Sequence, residues 1–536
     1  MIGGLWNTLF GWGGLLSFKI AGVLIFWATA FFVYKIYGRP QGILKQKNFL
    51  WAALALGMVL HFAGKITVLH YNNISMLTLT ICAFFLFLGL ERSSPVFFFC
   101  SGAALTLAAL ARLPNICALA FTGLILYNGV VEKIPFPRLT RDLLSFFAGM
   151  AAALTAALAI MKALGHLELY LNSLGDLLFS SKEEFTNYGS NDMVKRFLRH
   201  WAKALLIASA VFGFSCLVNL ASRRSPVLRR FFFIAAAMGM GALSYWYGWQ
   251  KSDEFIIFSS AGLIALSCGC IILFLDRTFQ KQKLLSVISI LLICTLSTGS
   301  DTGMTVGAYG IIFGLPLVFW FWYEAPELSL LFSVKEKNKE NRRQVSVNLG
   351  AADKKNIIGL ILVLYTSYGI PLLLRDVYRD NSIRWKMTAP VNHPLLRGEY
   401  TTEERAAAIE ALMEALEKYV RPGDYLLSFE SIPMVHFLMG TKPYLYNSWP
   451  ILYLPTEFRR ALDKARLERP LLPVIVLAKV QIRSKTWPDS GGVSPGGVAA
   501  EDRKILLDFI EEKNYRTAWE SAAFHILIPP GVENVL

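Results

Sequence analysis

Charge is what this chain has least of. Only 17% of its 536 residues are Asp, Glu, Lys or Arg, and 54% are hydrophobic, whereas an ordinary soluble domain carries about 25% charged residues. Too few charges remain to solvate a surface around that much apolar material, which excludes an ordinary soluble enzyme. Acidic residues are the scarcer sign, 38 against 53 Lys plus Arg, a formal net charge of +15. A nucleic-acid reading would need that surplus on a solvated face. It is not there: residues 376–536 hold 20 basic and 21 acidic residues, so the whole surplus falls in the apolar first 375. No nucleic-acid partner is expected.

Cysteine is missing from residues 376–536. All seven, Cys82, Cys100, Cys117, Cys216, Cys268, Cys270 and Cys294, lie in apolar runs, which leaves no disulfide framework and no paired metal thiolates. HExxH, the nucleophile elbow and a phosphate-cradling glycine loop are absent as well. Zinc hydrolysis and serine-hydrolase chemistry therefore have no motif behind them.

What is present is a series of apolar runs. A spanning helix needs about 20 such residues, and twelve are read here: 18–37, 49–65, 74–90, 95–112, 113–131, 143–164, 201–221, 231–249, 254–275, 284–299, 304–324 and 355–374. Basic residues cluster in alternate connections, from Arg39, Lys45 and Lys47 through Arg223, Arg224, Arg229 and Arg230 to Lys335, Lys337, Lys339, Arg342 and Arg343. By the bias of Lys and Arg toward cytoplasmic loops, those connections lie inside and both chain ends lie outside. The expected architecture is a polytopic α-helical membrane body over 1–375 and an extracytoplasmic α/β domain over 376–536. Residues 1–16, neutral and rich in Gly and Trp, read as an interfacial helix; residues 165–200 read as an outer amphipathic helix followed by a polar loop.

Ionisable groups near membrane depth are costly and mark function by default. Those placed at the outer face include Lys19, His61, Lys65, His70 with Tyr71, Asn72 and Asn73, Arg112 with Asn115, Glu168, Asp176 and Asp301. A cation there can bind a lipid phosphate and a carboxylate can act as a base. The plainer alternatives are a snorkelling lysine for Lys19, a capped turn for Asp301 in Thr298–Gly303, and hydrogen-bonded resident histidines for His61 and His70.

After Arg375 the pattern becomes globular. A helix over Thr401–Val420 with a Thr401-x-x-Glu404 capping box is followed by the turn Arg421–Asp424, the strand YLLSF, a short helix ending at Gly440, a strand near PYLY, a helix over Glu457–Leu467, the strand LPVIVLA, a helix over Glu501–Lys513 and a final strand AFHILI. This alternation predicts a small α/β layer fold. It carries no GxGxxG, and it reads as a recognition or stabilising domain.

The runs LHYNNISMLTLTICAFFLFLGLE and SGAALTLAALARLPN, with RGEYTTEERAAAIEALMEALEKYVRPGDYLLSFESIPMVHFLMGTKPYL beyond the last span, resemble the C-type membrane glycosyltransferases, relatives of the protein O-mannosyltransferases and lipid A aminoarabinose transferases. The likeness covers nearly the whole chain through diffuse motifs. It implies a bacterial plasma-membrane enzyme that takes a sugar from a polyprenyl-phosphate carrier to an unidentified glycan, lipid or protein acceptor, with a divalent metal permitted but no cofactor assigned. The family has thirteen spans and an acid in its first outer loop, so twelve spans starting outside imply that the first helix and that loop are missing. In that alignment Lys19 stands at a basic position, and Tyr71-Asn72-Asn73 stand where many relatives carry a second acid. The catalytic acid would then be Asp301, Glu168 or Asp176, with Lys65 and Arg112 holding the phosphate, assisted by Lys19, His70, Tyr71 and Asn72. A polysaccharide polymerase or ligase, a lipid or solute transporter, and an inactive membrane scaffold are the alternatives.

Overall fold

The computed structural model describes residues 2–38, 47–62, 68–180, 190–222, 225–247, 252–299, 303–326, 328–335, 342–375, 384–480, 482, 487–488 and 498–532. The chain divides into two compact units, one running through Ile20–Leu178 and Asn187–Leu374, the other taking in Met1–Lys19 and Arg375–Leu536.

The order of elements is α1 (Ile2–Phe10), α2 (Gly14–Tyr37), α3 (Lys47–Phe62), α4 (Tyr71–Arg92), α5 (Pro95–Ala111), a 3-10 helix over Leu113–Ala120, α6 (Phe121–Val131), α7 (Phe136–Ala163), α8 (Leu167–Ser180), α9 (Ser190–Ser222), α10 (Pro226–Tyr247), α11 (Ser252–Phe274), α12 (Gln280–Ser297), α13 (Met304–Gly307) and α14 (Ile311–Tyr323), then the hairpin β1 (Leu328–Lys335) and β2 (Arg342–Leu349), and α15 (Ala351–Arg375). Among the described residues, each of the twelve predicted apolar runs falls mainly on helix. Eight helical stretches among the described residues are long and apolar enough to cross a bilayer: Gly3–Tyr37, Tyr71–Arg92, Leu113–Val131, Phe136–Ala163, Asn191–Ala221, Pro226–Leu243, Phe255–Phe274 and Ala351–Arg375. Three of the others are shorter, with 16 residues in α3, 17 in α5 and 13 in α14. The fourth, α12, opens on the polar run Gln280–Lys283.

Packing separates inner from outer helices. α14 is buried from Ile311 to Trp322, with α11 and α12 against it, whereas the apolar stretch Pro226–Leu243 buries nothing inside the protein. Apolar side chains left facing outward on α7 and α10 need an apolar surrounding. α5 and α7 meet through glycines: a Cβ on Gly102 would sit 1.9 Å from the Phe146 carbonyl oxygen, and one on Gly149 would sit 1.9 Å from that of Phe99. Only bare backbone permits that approach, which is how helices associate closely when lipid supplies no hydrophobic drive.

The end of α14 is closed by a buried cation. Lys354 Nζ, on the first turn of α15, donates to the carbonyl oxygens of Phe321 (3.0 Å), Ala325 (2.7 Å) and Pro326 (3.1 Å). These are the acceptors that a helix leaves over at its C-terminus, and the ammonium also complements the helix dipole.

Two expectations are corrected in this unit. Residues 190–200 form the start of α9 rather than a polar loop, because Ser190, Asn191 and Asp192 suit a helix start and place an acid on its first turn. The hairpin β1–β2, with Leu328 opposite Leu349 and Lys335 opposite Arg342, occupies a stretch whose sequence suggests only a basic connection.

The second unit is a three-layer α/β fold built from β3 (Ala389–Pro390), β4 (Tyr400–Thr401), α16 (Glu403–Glu417), β5 (Tyr425–Phe429), α17 (Met434–Met439), β6 (Lys442–Pro443), α18 (Pro455–Glu468), β7 (Val474–Ala478), α19 (Val498–Glu512), β8 (Arg516–Glu520) and β9 (Phe524–Ile528). The main sheet runs β6-β5-β7-β9-β8, with β6, β5 and β7 parallel and β9 and β8 antiparallel. Alternation along the strands divides the core: Leu426, Val474, Val476 and Ile526 pack on α16 and α17, while Leu427, Phe429, Ile475 and Leu527 pack on α18 and α19. The N-cap of α16 is Thr402 and makes no side-chain cap bond, so the Thr401 capping box does not form. The edge strand β8 is an addition to the expected alternation.

Residues of the N-terminus belong to this unit. Leu15 packs on its core, Phe18 meets Phe437 edge-on at 6.1 Å, and Lys19 pairs with Glu399.

Candidate functional site

In the helical unit, polar groups gather where the C-terminal ends of α3, α5 and α12 meet the N-terminus of α4. His70 caps α4: its Nδ1 accepts from the backbone N–H of Asn72 at 3.1 Å and of Asn73 at 3.2 Å. A neutral ring with Nδ1 so engaged carries its proton on Nε2, which lies 2.9 Å from the Tyr309 hydroxyl. Tyr309, in the turn between α13 and α14, presents its ring edge-on to His70 at 5.5 Å and to His61 at 5.1 Å. His61 closes the row, 5.0 Å from Phe26. The result is a row of three rings meeting edge-on, with Tyr309 and His61 buried and His70 partly buried.

Arg112 is the C-cap of α5. Its guanidinium donates to the carbonyl oxygens of Leu296 and Thr298, each at 2.7 Å, closing the end of α12. Asn115, fully buried, links the two clusters by donating to Ser75 Oγ on α4 and to the Ala108 carbonyl on α5, both at 2.8 Å. Beyond α12, His200 Nδ1 accepts from Met304 N at 3.3 Å. Gly299 and Gly303 have positive φ of 66° and 57°. A Cβ would strike Pro114 at the first and His200 at the second, so both positions need glycine for space as well as for backbone.

The donors and acceptors here are unequal. The amide oxygens of Asn72, Asn73 and Asn115 are buried without a hydrogen-bond donor among the described residues. Buried acceptors are normally satisfied, so each of these oxygens has acceptor capacity left for a group that donates.

Of the sequence-derived residues, His70, Arg112 and Asn72 are brought into this cluster. Tyr71 lies next to His70 but is exposed. Lys19 belongs to the other unit, paired with Glu399. Glu168 is exposed on the first turn of α8; Asp176 is on the same helix, with a side chain outside the described residues. Lys65 and Asp301 also lie outside the described residues. Among the described residues, no three His, Cys, Asp or Glu side chains form a group able to hold a metal.

Sequence reasoning missed Tyr309 and His200. The only signal for Tyr309 is its setting in Gly307-Ala308-Tyr309-Gly310, where small neighbours let a large ring turn inward. In the second unit it also missed the buried relay Ser428–His436–Thr441. There His436 Nε2 lies 3.0 Å from Ser428 Oγ, and its Nδ1 lies 3.1 Å from Thr441 Oγ1. Burial drives the His436 pKa down to about 4, which keeps the ring neutral at neutral pH. Compared with family models, with curated proteins and with solved structures, the chain matches none.

Proposed function

We propose that this chain is an integral-membrane glycosyltransferase, moving a sugar from a polyprenyl-phosphate donor to an extracytoplasmic acceptor in a bacterial plasma membrane. The carrying observation is the polar cluster of His70, Tyr309, Arg112 and Asn115 set among apolar helices, with three asparagine oxygens awaiting donors. Sugar hydroxyls are such donors. A guanidinium suits the donor phosphate, and Lys65 is its proposed companion. The basic connections support a topology that puts this end of the helices outside, with twelve spans if α3, α5, α12 and α14 also cross.

In the reaction proposed, the acceptor oxygen attacks the anomeric carbon, the bond from that carbon to the phosphate oxygen breaks, and polyprenyl phosphate departs. A carboxylate takes the acceptor proton; Asp301 is preferred over Glu168 and Asp176 because in sequence it lies between Thr298, whose carbonyl accepts from Arg112, and Met304, whose N–H donates to His200.

The test is photocapture of the full chain in detergent by a photoreactive polyprenyl phosphate and by the matching polyprenol. Capture by the phosphate alone, reduced in Arg112→Ala and Lys65→Ala proteins whose thermal unfolding is still cooperative, is expected. Equal capture of the polyprenol would sink the reading.

A further inference from the structure

The corner of the second unit where β6 edges the main sheet carries an arrangement that the transferase reading does not use. Tyr425 and Lys442 open β5 and β6 and stand opposite each other in register. Tyr444 and Tyr446 follow β6, and Lys464, Glu468 and Arg469 lie at the end of α18. Arg469 Cζ stands 4.1 Å from the ring centroid of Tyr425 and 4.1 Å from that of Tyr446, so the two rings lie no more than twice that distance apart. Lys442 Nζ stands over Tyr425 at 6.0 Å, and Lys464 Nζ over Tyr446 at 5.1 Å. Cations and rings therefore alternate through Lys442, Tyr425, Arg469, Tyr446 and Lys464, each within cation–π reach of the next.

The middle of this ladder is fixed and its ends are loose. Arg469 Nη1 donates to the Pro443 carbonyl at 2.9 Å and to that of Tyr444. Lys442 is exposed, and so is Lys464, which reaches Glu468 at 3.8 Å. Both outer rings are open to solvent, Tyr425 38% and Tyr446 39% exposed. Tyr446 also holds a left-handed backbone, φ 64°, a strain that is uncommon for a bulky residue and gathers at ligand sites. Tyr444 is fully buried, and its hydroxyl has no hydrogen-bond partner among the described residues although Arg469 and Arg466 act on it electrostatically. A corner shaped for packing alone would relax the first and pair the second.

We propose that this ladder binds an acidic glycan, a chain of sugars bearing carboxylate groups. The inference stands apart from the transferase reading and does not depend on it. A pyranose presents a face of C–H groups, which the negative face of a tyrosine ring attracts as it attracts an ammonium. Lys442 and Lys464, on flexible stems, can swing from the rings to the carboxylates, so one movement frees the ring faces and pairs the charges. Arg469 stays in place and holds the two rings apart. Charge sets the sign of the ligand: three cations stand against Glu468, which Tyr446 and Lys464 already engage. A peptide adding a strand to this edge would find two residues in β6, one of them Pro443 with no N–H to offer. A nucleic acid would need a surplus of positive charge, and residues 376–536 are balanced, 20 basic to 21 acidic.

Calorimetric titration of the full chain in detergent tests this with tetragalacturonate, with its methyl ester, which keeps the rings and loses the charge, and with tetraglutamate, which keeps the charge and loses the rings. Saturable binding of tetragalacturonate is expected, at least tenfold tighter than that of the ester or of tetraglutamate, and weakening as salt rises. Tyr446→Asn removes the ring and keeps a residue that tolerates the left-handed backbone; Lys442→Gln combined with Lys464→Gln removes two exposed charges. Each variant should bind tetragalacturonate at least tenfold more weakly. The lysine pair, lying at the surface, keeps the test decisive if Tyr446→Asn does not fold. No binding of tetragalacturonate, binding of the ester or of tetraglutamate within tenfold of it, tighter binding of tetrathymidylate, or an affinity unmoved by the substitutions overturns the proposal.

Discussion

Replacing Asp502 with asparagine should stabilise the sheet-bearing unit above about pH 5 and destabilise it in stronger acid. In the folded chain burial first, then Glu501 and Glu457, make Asp502 release its proton near pH 7 instead of at its ordinary 3.8. At 1.36 kcal/mol for each tenfold change in proton affinity, that difference corresponds to a folding penalty of ~4 kcal/mol when the group is ionised. The sign follows from linkage. Between pH 4 and 7 the folded state holds a proton that the unfolded chain has lost, so stability falls as pH rises through that window and levels off above it. The substituted amide has no proton to lose, but like the carboxylate it lacks partners among the described residues, a cost of about 1–2 kcal/mol at every pH. The variant is therefore expected to be about 1–2 kcal/mol less stable at pH 4 and roughly 2–3 kcal/mol more stable at pH 8. Amide hydrogen exchange in β5, β7 and β9 of the full chain, corrected for the intrinsic pH dependence of exchange, reads this directly. A difference between variant and unaltered protein that is the same at both pH values, or that favours the variant in acid, refutes the reasoning.

Other outcomes follow from features of both units. His436, held neutral with a pKa near 4 against an ordinary 6.5, contributes stability that is full above pH 6.5 and is lost as pH falls through 4; His436→Gln should flatten that acid limb in the same exchange experiment. Gly149→Ala places a Cβ 1.9 Å from the Phe99 carbonyl oxygen, and should cost about 1–3 kcal/mol or more through forced separation of α5 and α7, read as a lower unfolding temperature in detergent. Arg112→Lys keeps the charge but cannot fork across the Leu296 and Thr298 carbonyls. A loss of about 1.5–3 kcal/mol is expected, recovered by no change of salt, because the bonds are short and partly buried. The Lys19–Glu399 pair is partly exposed, so a double-mutant cycle should return a coupling below about 1 kcal/mol.

Runs of apolar residues were enough to locate the helices, because a helix in an apolar surrounding needs nothing more than length and composition to be visible. The strands YLLSF and LPVIVLA were equally plain, being continuous apolar runs of the kind a sheet covered on both faces requires. The contacts of Arg112 were not visible. Its partners are backbone carbonyls at the end of α12, and a carbonyl has no letter in a sequence. Asp502 was legible in principle, since Asp502, Leu506 and Phe509 share one face of α19, and an acid on an apolar stripe is a signal. The hairpin was hidden differently. Leu328, Leu330 and Phe332 alternate as a strand should, but they follow α14 so closely that the alternation merged with the helix before it. His70, Tyr309 and His61 come from three separate elements, and only the folded chain brings them together.

The three bonds from Lys354 have a bearing on how the chain can change. Lys354 and Pro326 are 28 positions apart in sequence yet joined by hydrogen bond, so the two ends of the excursion that carries β1 and β2 are fastened to each other at the base of α14. A loop whose ends are already held does not pass its length on to what it leaves and rejoins, and lengthening it costs only slowly growing closure entropy. The stretch between β1 and β2 is thus a splice point. An epitope or a reporter domain placed there should leave the helices undisturbed so long as the lysine that ties the base of the hairpin is kept.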